Sequence, residues 1–283
     1  MTYILLAVLF SVAVSVLLKL ARRYGIDIVQ AVATNYVVAA LLAAMLLGAT
    51  PQAAIEAKAT YVPLVLLGIL LPAIFVVLAR SVRTAGIVRT DVAQRLSLFL
   101  SLVAAFVFLG DTLTGMKSLG IALAFAAVLC VLWRRQRDPM DRAGWIAPLA
   151  VFAGFGAIDI CFKRVAQAGA PFASALLASF LIAMALCWIA VLARAAMRVA
   201  PVTLRSLGFG VLLGAANFAN ILFYVRGHQA LPNDPSLVFA SMNVGVVVLG
   251  TLVGAFGFKE RLAAVNWLGI ALSIGAITVM ATL

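Results

Sequence analysis

Leu119-Gly120-Ile121-Ala122-Leu123 recurs unchanged, 149 positions later, as Leu268-Gly269-Ile270-Ala271-Leu272, and both copies sit inside long apolar runs. The same offset sets Asp111 on Glu260, Leu113 on Leu262, Ala127 on Ala276 and Gln94 on Asn243. A second register, offset by 144, sets Lys19 on Lys163 and Gly25 on Gly169. A few residues gained in loops reconcile the two offsets, so one hydrophobic unit is used twice.

Composition fixes the class of protein. The chain is 66% hydrophobic and 11% charged, with a mean hydropathy of +1.19. A soluble domain cannot hide that much apolar surface, whereas lipid accepts it. A helix needs about 20 apolar residues to cross a hydrocarbon core of ~30 Å. Ten runs qualify, at roughly 3–21, 28–48, 61–82, 87–109, 117–133, 144–163, 172–192, 204–225, 235–256 and 265–282. The expectation is an all-α membrane protein of ten transmembrane helices. The first run does not read as a cleaved signal peptide, because Lys19, Arg22 and Arg23 follow its apolar core instead of preceding it.

The net charge of +12 does not indicate nucleic-acid binding, since the basic residues are scattered over helix ends and form no stripe or tail. Fifteen of the 21 Lys and Arg fall in connections 1–2, 3–4, 5–6, 7–8 and 9–10, and five in the others. By the positive-inside rule the first set is cytoplasmic, which puts both termini outside. Cys130, Cys161 and Cys187 lie within spans and act as small apolar side chains, suggesting neither a disulfide nor a metal site. His228, the single histidine, lies past the eighth span and is expected to face water.

The halves, 1–136 and 142–283, meet at the polar stretch Trp133-Arg134-Arg135-Gln136-Arg137-Asp138-Pro139-Met140-Asp141-Arg142. Each holds five spans. An odd number makes the second copy enter the membrane from the opposite side, so the two are inverted repeats. Two such bundles can exchange conformations about a pseudo-two-fold axis and open a central site to each side in turn, the architecture of a secondary transporter.

Gly110-Asp111-Thr112-Leu113 running into Leu119-Gly120, and Lys259-Glu260-Arg261-Leu262 running into Leu268-Gly269, resemble the EamA-type branch of the drug/metabolite transporter superfamily. The likeness covers residues 3–132 and 145–282, making each half an EamA-like repeat. It implies a ten-helix basket whose cavity is lined by helices 1, 3, 4, 6, 8 and 9 and closed at the rim by helices 5 and 10. It also implies a carrier of amino acids, other metabolites, nucleotide sugars or drugs. Termini in that group are assigned to the cytoplasm, the reverse of the charge count.

Charges inside a membrane cost ~2.5–3.5 kcal/mol on insertion scales and tend to face a cavity or one another. Asp91 and Arg95 are four apart in the fourth span, with Gln94 on the same face, and Asp159 and Lys163 are four apart in the sixth. That spacing lets each acid pair with its base. Ser11, Ser15 and Lys19 form a polar stripe in the first span. Structural pairing with snorkelling of Lys and Arg is one reading of these charges. The other makes Asp91 and Asp159 proton-coupling carboxylates, with Lys163 and Lys19 as associated intramembrane charges.

Asn217, Asn220 and Tyr224 follow i, i+3, i+7 spacing on the eighth helix. They are either interhelical hydrogen bonders, worth ~1–2 kcal/mol each at best, or substrate contacts. Gln94 and Asn243 would form a symmetric amide pair, and Arg95 joins these substrate-binding candidates. Asn35 is expected to be structural, and Phe180 and Trp188 on the seventh span either form an aromatic wall or, the favoured role, pack in the core or against lipid. Gly210/Gly214, Gly250/Gly254, Gly120/Ala124 and Gly269/Ser273 predict close helix approach, and Pro72 predicts a kink. Pro232 and Pro235, flanking Asn233-Asp234, mark the turn into the ninth span.

Enzyme motifs are missing. Gly110 to Ser118 nearly spells a phosphate loop, but Met116 separates Gly115 from Lys117 and no strand precedes it. No catalytic residue, cofactor or metal is expected. The favoured function is a secondary-active exporter of small metabolites such as amino acids, in a bacterial inner membrane. Its partners would be the substrate, the lipid bilayer, and protons or a counter-substrate. The alternatives are a multidrug or cationic-compound exporter and a lipid-translocating or scaffold subunit. An unpaired Asp91 facing the cavity would favour the former, and a lateral opening between helices the latter.

Overall fold

Within lipid a segment must satisfy its own backbone N–H and C=O groups, so the apolar runs fold as helices. The computed structural model describes residues 1–56, 60–109, 115–133, 143–231, 233 and 235–281. Helices α1 (Thr2–Arg23), α2 (Ile28–Leu46), the short α3 (Gln52–Ile55), α4 (Tyr61–Thr84), α5 (Ile87–Leu109) and α6 (Gly115–Leu132) form the first half. The second comprises α7 (Ala143–Gln167), α8 (Phe172–Ala196), α9 (Leu204–Ala230), α10 (Pro235–Leu252, continued by a π-helical turn at Val253–Gly257) and α11 (Ala264–Ala281). Asp111, the 134–142 stretch, Pro232 and Asp234 lie outside the described residues.

Among the described residues, seven helices are long and apolar enough to cross a membrane: α1, α2, α4, α7, α8, α9 and α10 with its π turn. The chain is therefore a multi-pass membrane protein. Two further apolar helices are shorter, Ser118–Leu132 and Ala264–Val279, and α5 carries Arg89, Asp91 and Arg95 in its N-terminal half.

Gly25 and Gly169, paired by the 144 offset, terminate α1 and α7 in the same way. Both have positive φ, +61° and +81°. In each turn the residue after the glycine donates back five positions, Ile26 N–H to Ala21 and Ala170 N–H to Val165. This left-handed stop admits glycine at little cost.

The helices α6 and α11 pack along each other, α2 and α4 flank α8, and α9 lies against α1 and α2. Close approaches are present at Gly210, Gly214, Gly250, Gly254 and Gly269. A Cβ on Gly210 would come within 2.6 Å of the Ala31 carbonyl oxygen, and one on Gly269 within 2.7 Å of the Val131 backbone nitrogen. Helix α4 runs unbroken through Pro72, and α7 likewise through Pro148. Two larger cores result. One joins α1, α2, α4, α7, α8 and α9 around Tyr36, Phe180 and Phe218, and the other joins α5, α6, α10 and α11 around Leu96, Phe99 and Ile277.

Candidate functional site

A cavity of about 460 Å³ lies between α1, α2, α4, α5, α7, α8 and α9. Its polar groups are Ser11, Ser15, Gln94, Asp159, Lys163, Asn217, Asn220 and Tyr224. Aromatic rings supply much of the remaining wall, among them Tyr36, Phe75, Phe155, Phe162 and Phe172. A smaller space of about 260 Å³ adjoins it through Gln94, Asp159, Asn220 and Tyr224, and there Arg95 and Asn243 line the wall. Gln94, Asp159, Lys163, Asn217, Asn220 and Tyr224 thus share one chamber, and Arg95 and Asn243 its annex.

Packing between helices, not spacing along one, decides the partners of the two acid–base pairs expected from sequence. Asp91 does not pair with Arg95. Its Oδ1 accepts a 2.6 Å hydrogen bond from Ser15 on α1. Its Oδ2 is buried without a hydrogen-bond partner among the described residues, packed where a Cβ on Gly250 would come within 2.7 Å. Arg95 donates instead to Ser11 and, at 3.5 Å, to Asn243 Oδ1. Burial on a crowded helix face makes the neighbouring serines nearer partners than the residue one turn away.

Asp159 and Lys163 both face the cavity, and among the described residues no ion pair or hydrogen bond joins them to each other. Asp159 is therefore the carboxylate presented to the chamber, while Asp91 stands behind Ser15. The eighth-span amides also divide. Asn217 donates to Asn35 Oδ1 at 3.2 Å, a structural bond of the kind expected for Asn35. Asn220 Oδ1 is buried without a partner among the described residues. Asn243 is an anchor more than a contact, since its amide nitrogen donates to the Phe239 carbonyl at 2.8 Å. His228 packs edge-on against the Tyr224 ring at 4.7 Å and is half-buried.

Lys19 is tied down too. It pairs with Glu260 and lies 4.8 Å from the Phe258 ring centroid. Glu260 also accepts from the backbone N–H groups of Ile87 at 2.7 Å and Val88 at 3.2 Å. These are unsatisfied donors of the first turn of α5, so a second-half carboxylate caps a first-half helix. Gly86 leaves the room, because a Cβ there would collide with Glu260 Oε2. Sequence reasoning placed Glu260 in a motif without giving it this role, and of the aromatic wall it named only Phe180, which lines the chamber although packing was its favoured role. The available signal was an acid preceding the last helix of each half, one register apart.

At the α1–α2 turn Asp27 caps α2 through the N–H groups of Val29 and Gln30 and forms a two-pronged ion pair with Arg194 at 3.0 and 2.9 Å. Burial opposes its ionisation, but Arg194 and the two N–H groups outweigh that and hold its carboxyl below the ordinary value of 3.8.

Along 282 residues the chain is 42% identical to an uncharacterized protein of Haemophilus influenzae, the match covering 97% of this chain and 95% of that protein. No family model matches.

Proposed function

We propose that the chain, which belongs to one family with that Haemophilus influenzae protein, is a secondary-active carrier of small metabolites such as amino acids. The observation that carries this reading is the 460 Å³ chamber with Asp159, Lys163, Gln94 and Asn220 set among aromatic rings. A zwitterion with an apolar side chain matches that lining in charge and shape. Its ammonium would sit at Asp159, its carboxylate near Lys163 and the amides, and its side chain against Phe155, Phe162 and Phe172.

Alternating access needs two exchangeable bundles. Ten membrane-crossing helices in two inverted five-helix repeats, as in the EamA-type branch of the drug/metabolite transporter superfamily, would supply them. Several observations support this. Gly25 and Gly169 make matching turns. The contact of α1 with α9 recurs as that of α7 with α4, and the contact of α2 with α9 recurs as that of α8 with α4. Exchanging the halves maps each pair onto the other, as a pseudo-two-fold axis requires. Asp159 is the coupling carboxylate in this reading. Asp91, with one oxygen bonded to Ser15 and one unpartnered among the described residues, can take a proton without breaking its existing bond. Export across a bacterial inner membrane, driven by protons or a counter-substrate, completes the proposal.

Counterflow in proteoliposomes tests it. With unlabelled amino acids inside, labelled amino acids outside should accumulate above empty liposomes, and a flat trace from folded protein refutes the reading. Asp159→Asn should fold with normal yield, since among the described residues Asp159 forms no ion pair to lose. Its counterflow should fall about tenfold or more, a change equivalent to ~1.4 kcal/mol.

A second reading, export of lipophilic cations, is favoured by Asp159 lying beside Phe155, Phe162 and Phe172. Under it the same liposomes would take up a lipophilic cation and ignore amino acids.

A further inference from the structure

A second pair of cavities lies on the outer surface of the bundle. Where α1 meets α4, about 390 Å³ is enclosed by Arg22, Arg80 and Arg83 at the rim and by Leu18, Ile26, Ile28, Val76 and Ala79 below. None of the three arginines has an acidic partner among the described residues. No acidic side chain lines the pocket. Directly below, an apolar groove of about 320 Å³ runs between α2, α4 and α8, lined by residues such as Val29, Val32, Ile69, Pro72 and Leu186. The two spaces share Val76.

We propose that this composite site holds one anionic phospholipid. Its phosphate headgroup would lie among Arg22, Arg80 and Arg83, and one acyl chain along the groove beneath. Both halves of the ligand have a match. Three uncompensated guanidinium groups at a helix-end pocket fit a headgroup phosphate. The groove faces lipid, with Ile69 48% and Val76 44% exposed. From Arg80 down to Ile69 is eleven residues of one helix, or roughly 16 Å at 1.5 Å per residue, about the reach of an acyl chain. A free phosphate would use the pocket and leave the groove without a purpose.

The groove is not a passage into the central chamber. Ile69, Pro72, Ala73 and Val76 line it, whereas Leu71, Ile74, Phe75 and Leu78 line the chamber, so α4 itself is the wall between them. The lipid is a bound partner in this arrangement and not a transported substrate. The proposal stands whether or not the chamber carries amino acids.

Native mass spectrometry on the full chain, purified with equal phosphatidylglycerol and phosphatidylethanolamine, gives the test. Wild type should retain one phosphatidylglycerol in preference. The triple variant Arg22→Gln, Arg80→Gln, Arg83→Gln should lose that preference roughly a hundredfold, about fivefold for each basic residue near the surface. The triple Arg→Lys variant keeps the charges and should keep most of the lipid, which separates loss of charge from loss of fold. Ala73→Trp, filling the groove from its lipid-facing side, should weaken retention with all three arginines in place. Undiminished phosphatidylglycerol in the glutamine variant, or in Ala73→Trp, overturns the proposal. Displacement of the lipid by millimolar inorganic phosphate overturns it in favour of a soluble anion.

Discussion

In the proposed two-repeat arrangement, helices α5 and α10 are counterparts, yet they share little chemistry. At the 149 offset, Arg89, Asp91, Gln94 and Arg95 of α5 face Val238, Ala240, Asn243 and Val244 of α10. The first helix carries the buried charges and the second makes room for them. Gly250 of α10 packs on the unpartnered Asp91 oxygen, and Asn243 of α10 receives Arg95. On the proposed reading, one unit used twice keeps its charge in a single copy. Intramembrane charge is costly, so a single charged helix against a small-residue partner folds more readily than two charged ones.

Removing the acid that caps α5 should do the most damage. Glu260→Ala leaves Lys19 without its partner and uncovers the Ile87 and Val88 N–H groups; for this part-buried pair the cost should fall between the ~1 kcal/mol of a surface pair and the ~3–5 kcal/mol of a fully buried one. Thermal unfolding in detergent should show a large fall in midpoint, and an unchanged midpoint would mean the cap is decorative. Next, Gly250→Ala should cost ~1–3 kcal/mol through overpacking against Asp91. Combining it with Asp91→Ser should recover part of that loss, and strict additivity in the double-mutant cycle would show that the two do not touch in solution. Gly208→Ala, where a Cβ meets nothing within 4 Å, should be neutral or gain up to about 1 kcal/mol, the difference in helix propensity.

Smaller again is Asn243→Ala. It removes a 3.5 Å acceptor from Arg95, and the expected loss is about 1 kcal/mol or less; a larger fall would make the annex a structural keystone. Smallest is a pH effect at Asp27, whose cap on α2 is local where that of Glu260 on α5 is remote. Its carboxyl titrates below 3.8 in the folded protein. The stability it contributes is fully present above that value and fades as pH falls through the lower, folded value. Unfolding midpoints of wild type and Asp27→Asn should therefore converge as pH drops below 3.8, and parallel curves would remove Asp27 from the balance.

The helices were legible because lipid imposes one rule on every span, and the correspondence of Gly25 with Gly169 was legible because the register repeats, though the turn each makes was not. Six polar residues of the chamber could also be chosen from helical spacing alone. The partners could not. Spacing on one helix proposes Asp91 with Arg95 and Asp159 with Lys163, but the bonds that Asp91 and Arg95 form reach across to Ser15, Ser11 and Asn243 on other helices. Which faces meet depends on packing among all the helices, and a single sequence does not encode that in any local pattern. Apart from Phe180, the aromatic wall escaped for the same reason. Phe155, Phe162 and Phe172 are ordinary apolar residues until α7 and α8 turn them toward one space.

Asn266, at the start of α11, donates to the backbone carbonyls of Cys130, Val131 and Trp133 at the end of α6, and its Oδ1 accepts from Arg89 on α5. Together with Glu260 it finishes both ends of the α5–α6 segment from far downstream. On the ribosome, then, the first half leaves the exit tunnel and enters the bilayer with open backbone groups at two helix ends, and it waits in that state until residues 260 and 266 arrive. A transcript truncated shortly before them would release an early half whose exposed ends mark it for membrane proteases.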